Sequence, residues 1–332
     1  MRILVITQYF WPEQFRINEV VQNFTKKGYE VDVLTGLPNY PQGKLFKNFK
    51  ENKENFNFYC GSNVFRVPVY LRKNSNKFNL FLNFVSFILS GIFVGFFKLK
   101  NKKYDYIFTF ATSPITVCFV SIFFKKIKKA KSIVWVLDLW PNILKELRII
   151  KSEYFYNFIL YLVKKIYLSS DLILAQSQTF VEIIKNQTQP KIKKIEYLPA
   201  WPEDLKDNNK LKKINSGHKL RIVFTGNVGE AQNFDNIFKV AKYFKNQNNL
   251  EWIIIGTGRK LEDIKNLVEK ENIKNFIFKG HLPLDQIKHY HDIADILLIS
   301  LSKGRALSGT IPGKLQTYLS SKKFILGLID GE

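Results

Sequence analysis

The sequence predicts an α/β protein of two doubly wound halves, and three observations predict it. Short strand candidates alternate with helical stretches from the first residues onward. Strand cores such as Ile3-Leu4-Val5-Ile6 and Ile133-Val134-Trp135-Val136 are apolar on both faces, as parallel strands covered by helices on each side require. The alternation breaks at one polar stretch and starts again, and 332 residues exceed the ~100–200 of one ordinary core.

In the first half, strands are expected at Arg2–Thr7, Glu30–Leu34, Asn63–Val69, Tyr104–Phe110, Ser132–Leu137, Leu172–Gln176 and Ile195–Leu198. Helices are expected between several of them, at Gln14–Lys27, Asn79–Phe97, Ile115–Lys126, Tyr154–Leu168 and Thr179–Asn186. Trp201–His218 has little apolar content and reads as a linker, which sets the domains at 1–200 and 219–332. Beyond it, strands are expected at Leu220–Phe224, Leu250–Ile255, Ile277–Lys279, Ile296–Ile299 and Phe324–Leu328. Helices are expected at Asp235–Lys245, Lys260–Glu271, Leu284–Ile293 and Gly313–Ser320. A doubly wound domain normally closes with a helix after its last strand. Here Asp330-Gly331-Glu332 only begins a loop, so a truncated second domain is expected. Open α/β sheets bind ligands beyond the carboxyl ends of their strands, and two facing domains would set two such edges across a cleft.

Charge narrows the partners. Lys and Arg number 51 against 28 Asp and Glu, a net of +23. The excess is uneven: 30 basic residues oppose 13 acidic ones in residues 1–200, and 21 oppose 15 in the rest. Such a first half suits a polyanion, either nucleic acid or an anionic membrane surface. The run Lys125-Lys126-Ile127-Lys128-Lys129-Ala130-Lys131 comes with no helix-turn-helix, zinc or RNA-binding signature, which disfavours nucleic acid. Cys60 and Cys118 make no disulfide framework, and no Cys/His spacing suits zinc. Met1-Arg2 leads straight into a strand without an apolar leader, and a cytosolic chain is expected.

Phe78–Phe97 bears on the membrane directly. It holds twenty uncharged residues flanked by Arg72, Lys73 and Lys77 on one side and Lys98, Lys100, Lys102 and Lys103 on the other. Asn79, Asn83, Ser86 and Ser90 fall on one narrow helical stripe. At 1.5 Å per residue the stretch is long enough to cross ~30 Å of hydrocarbon. If the strands before and after it join one sheet, however, its two ends must lie on one side of a bilayer. The favoured reading is a crossover helix at the bilayer interface, with a buried core helix as the alternative.

Five loops at strand and helix ends carry candidate chemistry. After the first strand, Trp11-Pro12-Glu13 and Arg16 occupy an expected ligand position. Asp138 stands at the end of the Ser132–Leu137 strand, placed to accept a hydrogen bond from a hydroxyl or to act as a base. In the second half, Gly226, Asn227, Gly229 and Gln232 lie between a strand and a helix, and Gly256 and Gly258 end the next strand. Their glycines would let backbone approach a phosphate or sugar. Thr310-Ile311-Pro312-Gly313-Lys314 opens a helix that carries Thr317. A lysine in a first helical turn opposes the helix dipole, so it asks for an anionic partner such as a diphosphate. No Gly-x-Gly-x-x-Gly supports a dinucleotide cofactor.

Taken together the chain resembles the retaining GT-B glycosyltransferases of glycosyltransferase family 4, in particular the WbuB-like group of bacterial surface-polysaccharide enzymes. The matching segments are Gln8–Glu13, Leu34–Pro41, Asp138–Pro141, Gly226–Gln232, Thr310–Lys314 and Asp330–Glu332, in order along the whole chain. The resemblance implies two Rossmann-like domains and a nucleotide-diphosphate sugar, by expectation a UDP-linked N-acetylated deoxysugar, held mainly by the second. It implies a polyprenyl-diphosphate-linked acceptor on the first domain, at the inner face of the plasma membrane. The implied catalytic residues are Asp138 and Glu13. Donor contacts would come from Gly226, Asn227, Gly229, Gln232, Gly256, Gly258, Thr310, Pro312, Gly313, Lys314 and Thr317, and acceptor or phosphate contacts from Arg16, Asn39 and Tyr40. Asn227 and Gln232 stand where the family often has two basic residues, leaving Lys314 and Arg16 to meet the diphosphate charge. Gly309 and Thr317 stand where many members carry two glutamates. No Asp-x-Asp occurs, which agrees with transfer without a metal or other cofactor.

Overall fold

A computed structural model describes residues 1–72, 77–189, 191, 194–202 and 219–330. From residue 203 onward the expected linker lies outside the described residues, as do Gly331 and Glu332. The chain divides into two units, Met1–Pro141 with Ile150–Leu198, and Asn142–Ile149 with Pro199–Glu332.

Along the first part of the chain the elements are β1 (Arg2–Ile6), α1 (Arg16–Lys26), β2 (Glu30–Gly36), α2 (Lys47–Glu51), β3 (Phe58–Tyr59) and β4 (Ser62–Val67). There follow α3 (Lys77–Leu99), β5 (Tyr106–Ala111), α4 (Val117–Lys128), β6 (Lys131–Val136) and α5 (Asn142–Glu146), the last counted with the second unit. Then come α6 (Glu153–Ser169), β7 (Leu172–Ala175), α7 (Gln178–Thr188) and β8 (Ile195–Tyr197). The eight strands form one sheet in the order β3-β4-β2-β1-β5-β6-β7-β8. All pair in parallel except β3, a two-residue antiparallel edge on β4 that the sequence does not announce. The apolar runs justify themselves here: Leu4, Val5, Ile6, Val33, Leu34 and Ile107 are wholly buried in the central strands.

Crossovers between parallel strands are right-handed. The steps β4 to β5, β5 to β6 and β6 to β7 run one way across the sheet, and β1 to β2 runs the other. The rule therefore sets α3, α4 and α6 on one face and α1 on the opposite face. Within that layer α3 packs on α4 and α4 packs on α6.

α3 is inverted relative to an ordinary surface helix. Its polar stripe faces inward. Asn83 is 0% exposed; its Oδ1 accepts from Gln8 Nε2 (2.7 Å), and its Nδ2 donates to the Tyr70 carbonyl (2.6 Å). Ser86 Oγ accepts from the Tyr70 N–H (2.8 Å), and Asn79 Oδ1 accepts from the Tyr70 hydroxyl (3.3 Å). Two glycines let the helix sit this low. A Cβ on Gly91 would lie 3.0 Å from Val120, and one on Gly95 3.0 Å from Leu34. The outward face carries Phe78, Phe81, Leu89, Phe93 and Phe97, all exposed. Only 22% of its most apolar window is buried, which removes the buried-core alternative. Both β4 and β5 lie in the same parallel sheet, so α3 is the crossover helix between them.

Three of the lysines expected to await an anion are engaged within the unit instead. Lys102 pairs with Asp32 (2.8 Å) and Lys125 with Asp171 (2.7 Å). Lys128 Nζ donates to the carbonyls of Leu99, Lys100 and Lys102 at the end of α3, where a cation offsets the helix dipole.

The second unit continues with β9 (Leu220–Thr225), α8 (Phe234–Tyr243), β10 (Leu250–Ile255), α9 (Leu261–Lys270), β11 (Phe276–Gly280), α10 (Leu284–Ile293), β12 (Ile296–Ser300), α11 (Arg305–Ser308), α12 (Gly313–Ser320) and β13 (Phe324–Leu328). Its five strands run parallel in the order β11-β10-β9-β12-β13. Alternate residues of the central strands feed two cores. Phe224, Trp252 and Ile254 face a cluster with Phe234, Ile237 and Ile264 from α8 and α9, while Val223, Ile253 and Leu297 pack with Tyr318 of α12.

Candidate functional site

In the first unit, the candidate residues gather at the carboxyl ends of the strands. Glu13 is 3% exposed in the loop between β1 and α1. Its Oε1 accepts the N–H groups of Asn39 (2.8 Å) and Tyr40 (2.6 Å) from the loop after β2, and its Oε2 accepts the Phe10 N–H (3.2 Å). Burial pushes the carboxyl up to about 7, against the pull of those N–H groups and of the Arg66 charge. Glu13 thus clasps two loops together. Asn18 on α1 fixes the same loop, donating to the Glu13 carbonyl (2.7 Å) and accepting from the Trp11 N–H (3.2 Å). Arg16 opens α1 and pairs with Glu19 (3.0 Å).

Two buried arginines stand beside this clasp, and sequence reasoning missed both. Arg66 on β4 donates to the carbonyls of Gly36 (3.1 Å) and Trp11, and burial lowers its guanidinium to about 10. Arg72 donates to the Tyr9 hydroxyl and lies over the rings of Tyr9 (4.9 Å) and Tyr40 (5.1 Å). Tyr9, Phe15 and Tyr40 pack together with centroids 5.3–5.5 Å apart, forming an aromatic platform whose Tyr40 is exposed. A buried arginine in a strand leaves no periodic signal, because its stem reads as one more surface residue.

Asp138 follows β6 and is half-buried. Its Oδ2 accepts the N–H of Ser113 from the loop after β5 (2.8 Å), and Ser113 Oγ accepts from Trp140 Nε1 (3.0 Å). The carboxylate is thereby tied to the loop after β5. Burial raises its pKa, partly offset by Ser113.

The second unit supplies a different chemistry. After β9 the chain turns at Gly226 (φ +129°), whose N–H donates to the Ile255 carbonyl (2.8 Å). Gly256 and Gly258 have a packing reason to be glycine. A Cβ on Gly256 would lie 1.8 Å from the Gly226 carbonyl oxygen, and one on Gly258 2.2 Å from that of Val228. The two loops are thereby pressed into one rim. Asn227 and Gln232 form a neutral pair, the Asn227 amide donating to Gln232 Oε1 (3.1 Å), which also accepts the Gly229 N–H (3.2 Å).

Lys314 reaches this rim from the first turn of α12. Its Nζ lies 3.5 Å from the Phe224 ring centroid, beside Gly226. It is buried and has no hydrogen-bond partner among the described residues. Burial lowers it to about 7. An ammonium desolvated in this way is costly unless an anion completes it. Thr310 donates to the Ala306 carbonyl (2.7 Å), Pro312 and Gly313 form the start of α12, and Thr317 is buried on that helix.

Tyr318, one turn further along α12, ties the helix to the rim. Its hydroxyl accepts the Thr225 N–H (2.8 Å) and bonds Thr225 Oγ1 (3.0 Å). Oγ1 in turn meets Nε2 of buried His291 (3.3 Å). Tyr318→Phe is expected to weaken anion binding at Lys314 several-fold, since Thr225 and Lys314 lose their common tether. Isothermal titration checks this, with melting temperature as the control for a merely structural loss. A second feature went unread: Glu146 of α5 accepts the N–H groups of Ala306 (2.7 Å) and Leu307 (3.0 Å), capping α11 across 160 residues of sequence.

Residues 206–306 match the family model described as glycosyl transferases group 1. The chain is 21% identical, over 96% of its length and 81% of the other, to an Escherichia coli (strain K12) protein assigned as colanic acid biosynthesis glycosyl transferase WcaI. Its fold is shared with sucrose-phosphate synthase from Thermosynechococcus elongatus, at 12% identity and a TM-score of 0.68, covering 98% of this chain and 80% of that one. It is shared too with Anabaena HepE, solved with UDP and glucose, at 11% identity and a TM-score of 0.63, covering 100% and 81%. The segment match and the common two-unit α/β architecture make this chain a glycosyltransferase of GT-B fold.

Proposed function

We propose that the protein transfers a sugar, with retention at the anomeric carbon, from a nucleotide-diphosphate sugar to a polyprenyl-diphosphate-linked glycan in bacterial surface-polysaccharide synthesis. A UDP-linked N-acetylated deoxysugar is the donor assigned. The observation that carries the donor half is Lys314, a buried ammonium with no hydrogen-bond partner among the described residues, at a glycine-turned rim. HepE, bound to UDP and glucose, shares this fold, and the name of the E. coli relative lies in polysaccharide synthesis. The leaving diphosphate is met by Lys314 and by backbone N–H groups at the start of α12, with no metal or other cofactor assigned. Asp138 is proposed to accept a hydrogen bond from a reacting hydroxyl. Glu13 holds Asn39 and Tyr40 in place, and the Tyr9–Phe15–Tyr40 platform, with Arg16 nearby in sequence, receives the acceptor. A thermal-shift panel of nucleotides and nucleotide sugars tests the donor: UDP and one UDP-sugar should stabilise the protein, and stabilisation by none would overturn the reading.

The acceptor places the enzyme on the inner face of the plasma membrane, held by the outward aromatic face of α3 and by exposed Lys98, Lys100 and Lys103. Salt screens the lysines but not an inserted apolar face. Membrane fractions washed in high salt are therefore expected to keep part of the protein and to release the rest only in detergent or alkali. Complete release by salt alone would remove α3 from the bilayer.

A further inference from the structure

α6 carries a second outward aromatic face. Tyr154 is 86% exposed, Phe155 50%, Phe158 51% and Tyr161 54%. Steps of three and four place them on one stripe, while Val163, Ile166 and Tyr167 bury the opposite side. Beyond Tyr161 the exposed surface turns basic at Lys164 and Lys165, and the Lys165 ammonium lies 4.5 Å from the Tyr161 ring centroid. A stripe of this size is costly to leave in water.

Its position in the fold identifies what covers it. α3, α4 and α6 form one layer on one face of the sheet, with exposed aromatics on both flanking helices. Lys98, Lys100, Lys103, Lys126, Lys164 and Lys165 are exposed on these helices and the turn after α3. A second copy of this surface would bring those like charges together. An anionic bilayer would neutralise them.

We propose that this three-helix layer is a bilayer-docking face and that α6 is its second insertion element, with Phe155 and Phe158 among the acyl chains and the Tyr154 and Tyr161 hydroxyls at headgroup level. The inference rests on the membrane reading of α3 and extends it. Both helices run antiparallel to their strands, so both begin at the carboxyl edge that carries Tyr40 and Asp138. Two inserted helices leave the unit one tilt relative to the membrane, whereas α3 alone would leave it free to roll about its own axis.

The test uses vesicles of phosphatidylcholine with about one third phosphatidylglycerol. In a Cys60→Ser background, Phe158→Cys on α6 and Phe93→Cys on α3 are each labelled with bimane. Both labels are expected to shift to the blue on vesicle addition and to be quenched by doxyl lipids. Phe155→Ser with Phe158→Ser is expected to lower vesicle partitioning ~10-fold or more, with an unchanged melting temperature because both rings are exposed. If the α3 label inserts and the α6 label stays in water, this inference falls and the membrane reading stands. If neither inserts, the membrane reading falls with it. A blue shift of the α6 label that grows with protein concentration in the absence of lipid would assign the face to a second copy and overturn the proposal.

Discussion

Asp138→Asn is expected to lower turnover by about a hundredfold while leaving UDP affinity within about twofold. The carboxylate follows β6 and is held by Ser113, through its N–H and its side chain. An amide oxygen can still accept that N–H, so the loop after β5 keeps its anchor. What asparagine removes is the charge and the basicity proposed to meet a reacting hydroxyl. Burial raises the Asp138 pKa, so loss of activity on acidification should begin above the usual aspartate range. Steady-state kinetics and UDP titration on the same variant check the split. A variant that melts early but keeps its specific activity would make Asp138 a loop anchor only.

Lys314→Met should separate binding from stability in opposite directions. It removes a buried cation proposed to meet the diphosphate, a charge-assisted contact of ~1.5–3 kcal/mol, so UDP affinity should drop by about tenfold or more. It also removes a desolvated ammonium from the face of Phe224, so the ligand-free protein should melt higher below pH 7. The pH dependence follows from the same group. Lys314 is pushed down to about 7, and only its charged form favours the anion. UDP affinity in the native protein should therefore fall as pH rises above 7, by as much as tenfold per unit, and the variant should lose that slope. In the ligand-free protein the sign reverses. The unfolded chain holds the proton up to the ordinary lysine range, so this group's contribution to stability grows as pH rises from about 7 towards that range. Unchanged UDP affinity in Lys314→Met would end its assignment to the donor.

Much of the fold was legible because strands buried on both faces are continuous apolar runs and need no distant partner to be recognised. The small elements were not: β3, α2 and α11 are two to five residues long, below any period a pattern can show. α3 shows both sides of this. Its stripe of Asn79, Asn83 and Ser86 was readable, but not that it faces inward, because its partners are Gln8 and Tyr70 in loops. Lys314 was legible as a lysine in the wrong turn of a helix. Glycines 256 and 258 read as room for a ligand, whereas the space they leave is filled by the backbone of Gly226 and Val228. Arg66, Arg72 and Glu146 were invisible because each acts on a carbonyl, ring or amide far away in sequence.

The strand order also sets a schedule for synthesis. β1 is made first, yet it lies between β2 and β5, and its register with β5 joins Ile3 to Tyr106. The Gln8–Asn83 bond likewise spans 75 residues. Closing loops of this size costs entropy that local contacts do not repay, so the edge at Gln8 and Tyr9 stays open until β5 has left the ribosome. At ~5–20 residues per second, α3 is complete about a second before that strand is. For that interval the helix has its aromatic face and no finished sheet to seat its polar one. A nascent chain in this state shows water an aromatic face with no sheet yet behind it, the kind of surface that a holdase chaperone covers.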